Sequence, residues 1–546
     1  MGTPGLTSGT SRSRTIRRLI DARHTQDWEP AADYTITEDA LFSRDPDAVA
    51  VLRGGLDTPE EVTFGQVQHA AVRVAGVLRS RGVQPGVRVV LYLDPSVEAA
   101  EVVFGVLVAG AVLVPVPRLL TGTSVAHRLV DSGATVLVTD GPGIDRLEST
   151  GCSLRDVDVL TVDGSRGTPL GDLTRRVDPL APVPGRSSDP ALLMYTSGTS
   201  GLSKGIVHGH RVLLGHAGVD YAFELFRPGD VYFGTADWGW IGGLMLGLLV
   251  PWSLGVPVVA HRPQRFDPGA TLDMLRRYGV TTAFLPASVL RMFAEHGESA
   301  QRRLRAVVTG GEPAGAVELA WARRHLSDAV NKAYGQTEAN ALIGDSGVLG
   351  SVDDATMGAP YPGHRIALLD DAGTHVAPGE VGEIALELPD PVALLGHWDA
   401  SSARVVPPAG SWHRTGDLAR RAHGRRLEYL GRADDVIKSR GYRIGPAEIE
   451  EALKRHPQVL DAAAVGLPDP ESGQQVKAFV HLAAGELTEE ITKELRELVT
   501  AAVGPHARPR EIEAVAALPR TETGKVRRRE LVPPPAPALG DCRGPA

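Results

Sequence analysis

Residues Ala191-Leu-Leu-Met-Tyr-Thr-Ser-Gly-Thr-Ser-Gly-Leu-Ser-Lys204-Gly205 run from an apolar stretch straight into a loop crowded with hydroxyls and glycines. Gly198, Gly201 and Gly205 can take backbone angles closed to other residues, so successive N–H groups can turn inward on an anion. Thr196, Ser197, Thr199 and Ser200 add hydroxyl donors and Lys204 adds a charge, and the whole reads as a phosphate loop. Ser203 and Gly205 flank Lys204, so the Walker pattern does not fit, and no G-x-G-x-x-G occurs in the loop. A flexible Gly/Ser linker is the bland alternative. Against it, Ala191 to Tyr195 reads as a buried strand entering the loop, and the segment from Val207 reads as a helix leaving it.

Lysine is scarce. The chain has Lys204, Lys332, Lys438, Lys454, Lys477, Lys493 and Lys525, and arginine supplies the other basic side chains. A compact, mobile ammonium does what a rigid guanidinium cannot, so a lysine beside glycine invites a functional explanation. Lys204-Gly205 and Gly524-Lys525 are two such places.

The 546 residues, 42% hydrophobic and 23% charged, suffice for two or more cores. The net charge of -9, with no basic run interleaved with aromatics, argues against nucleic acid as a partner. Cys152 and Cys542 are the only cysteines, which excludes a disulfide framework and a cysteine metal cluster and suits a reducing, cytoplasmic setting. No apolar h-region follows the Arg-rich opening residues, which argues against secretion and leaves a transit peptide open. Ile241 to Ala260 is the longest apolar run, but prolines and glycines interrupt it, so it reads as a buried helix followed by a strand and not as a membrane span.

From about Ala32, short β-rich runs alternate with amphipathic helices. Val89–Leu93, Val112–Val116, Thr135–Thr139, Thr281–Leu285 and Ala306–Thr309 are strand candidates, with helices such as Ser96–Leu107 and Pro268–Tyr278 between them. This is α/β layering. Arg166–Asp189 reads as a surface connection. Beyond Asp434 the pattern becomes a compact α+β unit, with helices Pro446–Arg455 and Thr488–Val503 and strands Asp461–Val465 and Val476–Leu482. The expected organisation is a tail (1–31), a large multi-layer α/β domain (32–433), a small α+β domain (434–532) and a Pro-rich tail (533–546), with ligand chemistry in the cleft between the two domains.

Five further segments accompany the loop: Thr309-Gly-Gly-Glu-Pro313, Ala333-Tyr-Gly-Gln-Thr-Glu338, Arg414-Thr-Gly-Asp417, Gly431–Ile444 and Pro519-Arg-Thr-Glu-Thr-Gly-Lys-Val-Arg527. Each alone is ordinary surface or turn sequence. In this order and spacing, over roughly Asp33 to Leu531, the chain resembles the adenylate-forming superfamily of acyl-CoA synthetases, peptide-synthetase adenylation domains and luciferases. Thr235-Ala-Asp-Trp-Gly-Trp-Ile-Gly-Gly243 and Ser439–Glu448 are most similar to the acetyl-CoA synthetase and medium-chain acyl-CoA synthetase branch. Ser203 before the loop lysine, Arg440 before Gly441, and Ala339 after Glu338 depart from the usual pattern, and none removes a group the chemistry needs.

The resemblance implies a two-step reaction. A carboxylate attacks the α-phosphorus of ATP, expels pyrophosphate and forms an acyl adenylate; the thiol of coenzyme A (CoA) then displaces AMP. Charge builds on non-bridging oxygens in the first step, so positioning and electrostatics dominate catalysis. By resemblance, Thr196, Ser197, Gly198, Thr199, Ser200, Gly201 and Lys204 hold the β- and γ-phosphates, Thr337 touches the α-phosphate and Glu338 ligates Mg²⁺. Gly311, Glu312, Pro313, Tyr334, Gly335 and Gln336 frame the adenine, Asp417 accepts from the ribose hydroxyls, and Arg432 and Arg443 complete the nucleotide contacts. Lys525 bridges the carboxylate and the α-phosphate. The small domain then swings at Asp434, withdrawing Lys525 and bringing in Gly441, past which pantetheine slides.

For the acyl group the resemblance points to Trp240, Ile241, Gly242, Gly310 and Gly335. Acetate-specific relatives carry a Trp at the position of Gly335 and a Val at that of Gly310, so the missing side chains predict a deeper pocket. The apolar Ile241 argues against an amino-acid substrate, whose buried ammonium would lack a partner. The leading expectation is an acyl-CoA ligase for a medium-chain or aromatic acid. A stand-alone enzyme loading a separate carrier protein is a second reading, since no carrier domain follows Lys525, and a catalytically silent nucleotide-binding regulator is a third. The oligomeric state is not legible.

Overall fold

A computed structural model describes residues 31–55, 58–120, 122–196, 203–216, 219, 226–261, 263, 266–297, 303–346, 352–439, 442–469, 473–483, 486–520 and 526–532. The chain divides into two compact units: one of residues 1–367, 385–415 and 422–427, the other of residues 368–384, 416–421 and 428–546.

The first unit holds two nine-stranded sheets. One runs, strand by strand across the sheet, Ala359–Pro360, Asn340–Asp345, Val330–Gln336, Ala306–Gly310, Thr282–Phe284, Tyr232–Gly234, Val258–Ala260, Val49–Arg53 and Glu60–Thr63. The other runs Arg404–Val406, Gly396–Asp399, Lys204–Gly209, Pro190–Thr196, Val112–Pro115, Arg88–Leu91, Val136–Thr139, Asp158–Thr161 and Thr168–Pro169. Their central pairings are parallel. Strands such as Val112–Pro115 and Val136–Thr139 are buried along their whole length, and that is why they read as unbroken apolar runs.

Helices start where the sequence supplies caps. Thr63 and Gln66 form a reciprocal capping box on Phe64–Ser80, and the Ser96 hydroxyl caps Val97–Val108 by accepting from the Ala99 N–H. Trp252 is fully buried, stacked on Phe104 at 5.1 Å and edge-on to Phe64 at 5.3 Å, with its indole N–H donated to the Ala50 carbonyl. The run from Ile241 folds as short helical turns ending at Ser253 and then the strand Val258–Ala260, as the interrupted apolar pattern predicts. No described helix is long and apolar enough to cross a membrane.

A four-stranded sheet has the order Ile366–Leu369, Val381–Glu387, Trp412–Arg421, Leu427–Arg432. In the second unit a five-stranded sheet has the order Tyr442–Ile444, Ile437–Ser439, Gly473–Leu482, Val459–Asp469, with Glu511–Ala514 pairing Gly473–Leu482. Helices Pro446–Leu453 and Glu489–Ala502 share its core through Ile449, Leu453, Leu495 and Val499.

Two sequence expectations fail. The residues from Val207 form a strand, Lys204–Gly209, not a helix: Ile206 and Val207 are β-branched and buried, and the strand folds back antiparallel on Pro190–Thr196. Arg166–Asp189 is more than a connection, because Thr168–Pro169 adds an edge strand and buried Leu170 begins a short helix.

Candidate active site

The stems of the loop read from the sequence as phosphate-binding are a β-hairpin. Met194 pairs Ile206, Tyr195 pairs Gly205 and Thr196 pairs Lys204, so the loop residues join two hydrogen-bonded strand ends. Ser197, Gly198, Thr199, Ser200 and Gly201 lie outside the described residues. Lys204 is exposed at the start of its strand. Gly205 is there for space and not for an unusual backbone angle: a β-carbon would stand 2.8 Å from Trp398 Cβ and 2.9 Å from Leu193 Cδ1.

The strand that starts at Lys204 also carries His208. Its imidazole is fully buried, and burial lowers its pKa to about 4, so the ring is neutral at neutral pH. Nε2 lies 2.7 Å from the Thr337 carbonyl oxygen, and because a carbonyl only accepts, Nε2 carries the proton. Nδ1 is buried with no hydrogen-bond partner among the described residues. The turn after Gln336 joins Val330–Gln336 to Asn340–Asp345, with Asn340 in the left-handed region at φ 45°. This turn is tied down from several sides. The Leu394 N–H donates to the Glu338 carbonyl at 2.8 Å, Gln336 Nε2 donates to the Thr415 carbonyl at 3.2 Å, and His413 Nε2 lies 3.3 Å from Gln336 Oε1. The half-buried Glu338 carboxylate makes no hydrogen bond with any described residue.

Ala306–Gly310 ends at the Thr309–Pro313 segment. Gly311 sits at φ 87°, and Glu312 Oε1 accepts from the Ser288 N–H at 2.6 Å, so the carboxylate caps the helix Ala287–His296. At Gly310 and Gly335 backbone crowds the place of a β-carbon. A β-carbon at Gly310 would stand 2.4 Å from the Ala333 carbonyl oxygen, and one at Gly335 would stand 1.6 Å from that of Asn340. Neighbouring backbone stands where the first side-chain carbon would go, so any residue larger than glycine at either position requires the backbone to shift.

Gly242 is different: a β-carbon there meets nothing within 4 Å. It follows Trp240, the cap residue of the short helix Ile241–Leu244. Asp237 braces the approach to that helix, accepting from the Arg118 N–H at 2.9 Å and the Gly239 N–H at 2.8 Å. The sequence reading passed over Asp237, as it did His208.

In the second unit Asp417 is buried on Trp412–Arg421. Its Oδ1 accepts from the Tyr429 hydroxyl at 3.1 Å, and its Oδ2 pairs with Arg432 Nη1 at 3.3 Å. Burial, with Asp417 beside it, raises the Tyr429 phenol well above its ordinary value and keeps it a donor. Gly416 is at φ 73°, and its N–H donates to Glu383 Oε1 at 2.7 Å. Tyr429 and Glu383 were also missed. Their only sequence signal is a polar residue on a neighbouring strand, and the register that brings them to Asp417 is not written locally.

Asp434 is exposed, while Asp435 pairs with Arg528, which also forks onto Glu450. Arg443 belongs to the strand Tyr442–Ile444; Gly441 and Lys525 lie outside the described residues. No group of three or more potential metal-ligating side chains occurs among the described residues.

The two nine-stranded sheets of the first unit and the smaller α+β unit are those of the adenylate-forming class of ligases. The chain matches the AMP-binding enzyme family over residues 38–391 and the AMP-binding enzyme C-terminal domain over residues 448–525, and it belongs to that family. It is similar to acetyl-coenzyme A synthetase of Bacillus subtilis (strain 168), at 28% identity over 487 residues covering 86% of this chain and 85% of that protein. It is also similar to the human mitochondrial acyl-coenzyme A synthetase ACSM3, at 32% identity over 485 residues covering 86% of this chain and 82% of that protein. The crystal structure of anthranilate CoA ligase AuaEII in complex with anthranoyl-AMP matches with a TM-score of 0.80 at 26% identity, covering 92% of this chain and 97% of that one. The protein is an AMP-forming acid–thiol ligase.

Proposed function

We propose that this ligase activates a medium-chain or aromatic carboxylic acid with ATP and transfers the acyl group to CoA. The observation that carries the reading is the strand Lys204–Gly209. It presents Lys204 at one end, and near its other end His208 fixes the turn that bears Thr337 and Glu338. A loop suited to the β- and γ-phosphates and a turn suited to the α-phosphate thus share one rigid element, an arrangement that favours in-line displacement at phosphorus.

In the first half-reaction a carboxylate oxygen of the acid attacks the α-phosphorus, and the bond from that phosphorus to the leaving pyrophosphate breaks. Lys204 and the loop hydroxyls hold the departing phosphates, Thr337 touches the α-phosphate, and Lys525 neutralises charge between carboxylate and phosphate. In the second, the CoA sulfur attacks the acyl carbon, the thiol proton is lost, and AMP leaves with the electrons of the acyl C–O bond. The small domain turns about Asp434 between them, exchanging Lys525 for Gly441, with Arg443 beside the nucleotide. Asp417, oriented by Tyr429 and Arg432, accepts from the ribose hydroxyls.

Glu338 fits a Mg²⁺ ligand: it is a hard oxygen donor whose carboxylate is not used by any described residue, and Mg²⁺ is commonly held by one or two carboxylates plus phosphates and water. When bound, the ion screens the phosphate charge. Open space at Gly242 beside Trp240 supports a substrate larger than acetate, as does the aromatic acyl adenylate bound by AuaEII. The test is CoA-dependent AMP release across acids from acetate to dodecanoate and benzoates. Highest kcat/KM for acetate would refute the substrate class, and AMP release without CoA dependence would refute the acceptor.

A further inference from the structure

The helix Gly122–Ser132 grips both stems of the phosphate loop. On the entry side, the Tyr195 hydroxyl donates to Asp131 Oδ2 at 2.7 Å, and the Arg128 guanidinium lies over the Tyr195 ring at 5.5 Å. The Asp131 carbonyl is itself held by the Trp398 indole N–H at 2.8 Å. On the exit side, His127 Nε2 is 3.1 Å from the Ser203 carbonyl oxygen, where it can only donate. The same imidazole stands edge-on to Tyr195, ring centroids 6.2 Å apart. His127 and Asp131 are one helical turn apart on one face, so a single rigid element touches the residue before Thr196 and the residue before Lys204. Ser203 leaves φ unrestrained where a proline would fix it, so the direction in which the chain enters Lys204 must be set by something else.

We propose that His127 is a positioning residue for adenylate formation, holding Ser203, and through it Lys204, at a fixed offset from Tyr195. This rests on the reading of Thr196 to Lys204 as the phosphate loop. His127 donates to a backbone carbonyl and not to substrate, so its effect falls on the nucleotide half-reaction alone. The second half-reaction, which uses pyrophosphate-free acyl adenylate and CoA, does not call on the loop.

Two substitutions separate the hydrogen bond from the ring. His127→Phe keeps an aromatic edge against Tyr195 and loses the donor; His127→Gln keeps a donor of similar reach. In ATP–pyrophosphate exchange, His127→Phe is expected to raise KM for ATP roughly five-fold, the effect of one neutral hydrogen bond, while thioester synthesis from pre-made acyl adenylate stays within about two-fold and the melting temperature is unchanged. His127→Gln is expected to recover most of the loss. An unchanged KM in His127→Phe overturns the proposal, as does an equal fall in both half-reactions, which would mark a general structural role. Lys204→Ala is measured alongside. If it collapses exchange while His127→Phe is silent, only the positioning role falls; if Lys204→Ala leaves exchange intact, the phosphate-loop reading falls and takes this inference with it.

Discussion

Gly335 and Gly242 should respond to a new side chain in opposite ways. At Gly335 the first added carbon would lie 1.6 Å from the Asn340 carbonyl oxygen, 2.5 Å from its carbon and 2.9 Å from Ala341 Cα. The obstacle is the partner strand of the same hairpin, at the register shift between Tyr334 and Gly335, so no rotamer relieves it. The hairpin must open by more than about an ångström to reach ordinary contact distance, and overpacking of this kind costs about 1–3 kcal/mol. The opening moves the turn that His208 and Leu394 hold, and Thr337 and Glu338 with it. Gly335→Ala is therefore expected to lower the melting temperature by several degrees and to slow ATP–pyrophosphate exchange for every acid alike. Gly242→Val adds atoms where nothing lies within 4 Å; its stability should change by less than about 0.5 kcal/mol, while kcat/KM for octanoate or benzoate falls relative to acetate. The assays are thermal unfolding and the ratio of kcat/KM values across the acids. A stable Gly335→Ala enzyme with altered acid preference, beside a Gly242→Val enzyme with unaltered preference, would place the acyl pocket at Gly335 and not at Gly242.

Three further outcomes are expected. Burial lowers His208 and His210 to about 4, below the ordinary histidine value, so the unfolded chain binds more protons between pH 6.5 and 4; stability is full above pH 6.5 and falls on acidification through that window by up to roughly 3 kcal/mol per histidine. Urea unfolding at stepped pH reads this, and His208→Gln should flatten the slope; an identical slope would deny the buried neutral ring its part. Lys525→Ala should abolish exchange while sparing thioester synthesis from pre-made adenylate, and equal loss in both would make the lysine structural. Tyr429→Phe removes the hydroxyl that holds Asp417 and should raise KM for ATP about ten-fold, in line with roughly 1.5 kcal/mol for a hydrogen bond to a charged group, whereas an unchanged KM would detach Asp417 from the nucleotide.

What the sequence discloses follows the range of the interactions involved. Strands such as Val112–Pro115 and Val136–Thr139 are buried along their whole length, so their composition alone marks them, and the cap residues of Phe64–Ser80 and Val97–Val108 lie within a few positions of the turns they close. The residues after Lys204 were misread because a short run of Ile206 and Val207 between glycines looks alike in a helix and a strand; what decides is pairing with Pro190–Thr196, across a loop. Motif spacing singles out the groups proposed to face the ligand, since their chemistry restricts residue type. It did not find those that hold these groups in place. His208 reaches Thr337 across 129 positions and Tyr195 reaches Asp131 across 64, and either contact could be made by several residue types. The glycines teach the same lesson from the other side. Gly335 and Gly242 are identical letters in two of the motifs, and only the position of a partner strand makes one a packing necessity and the other an opening.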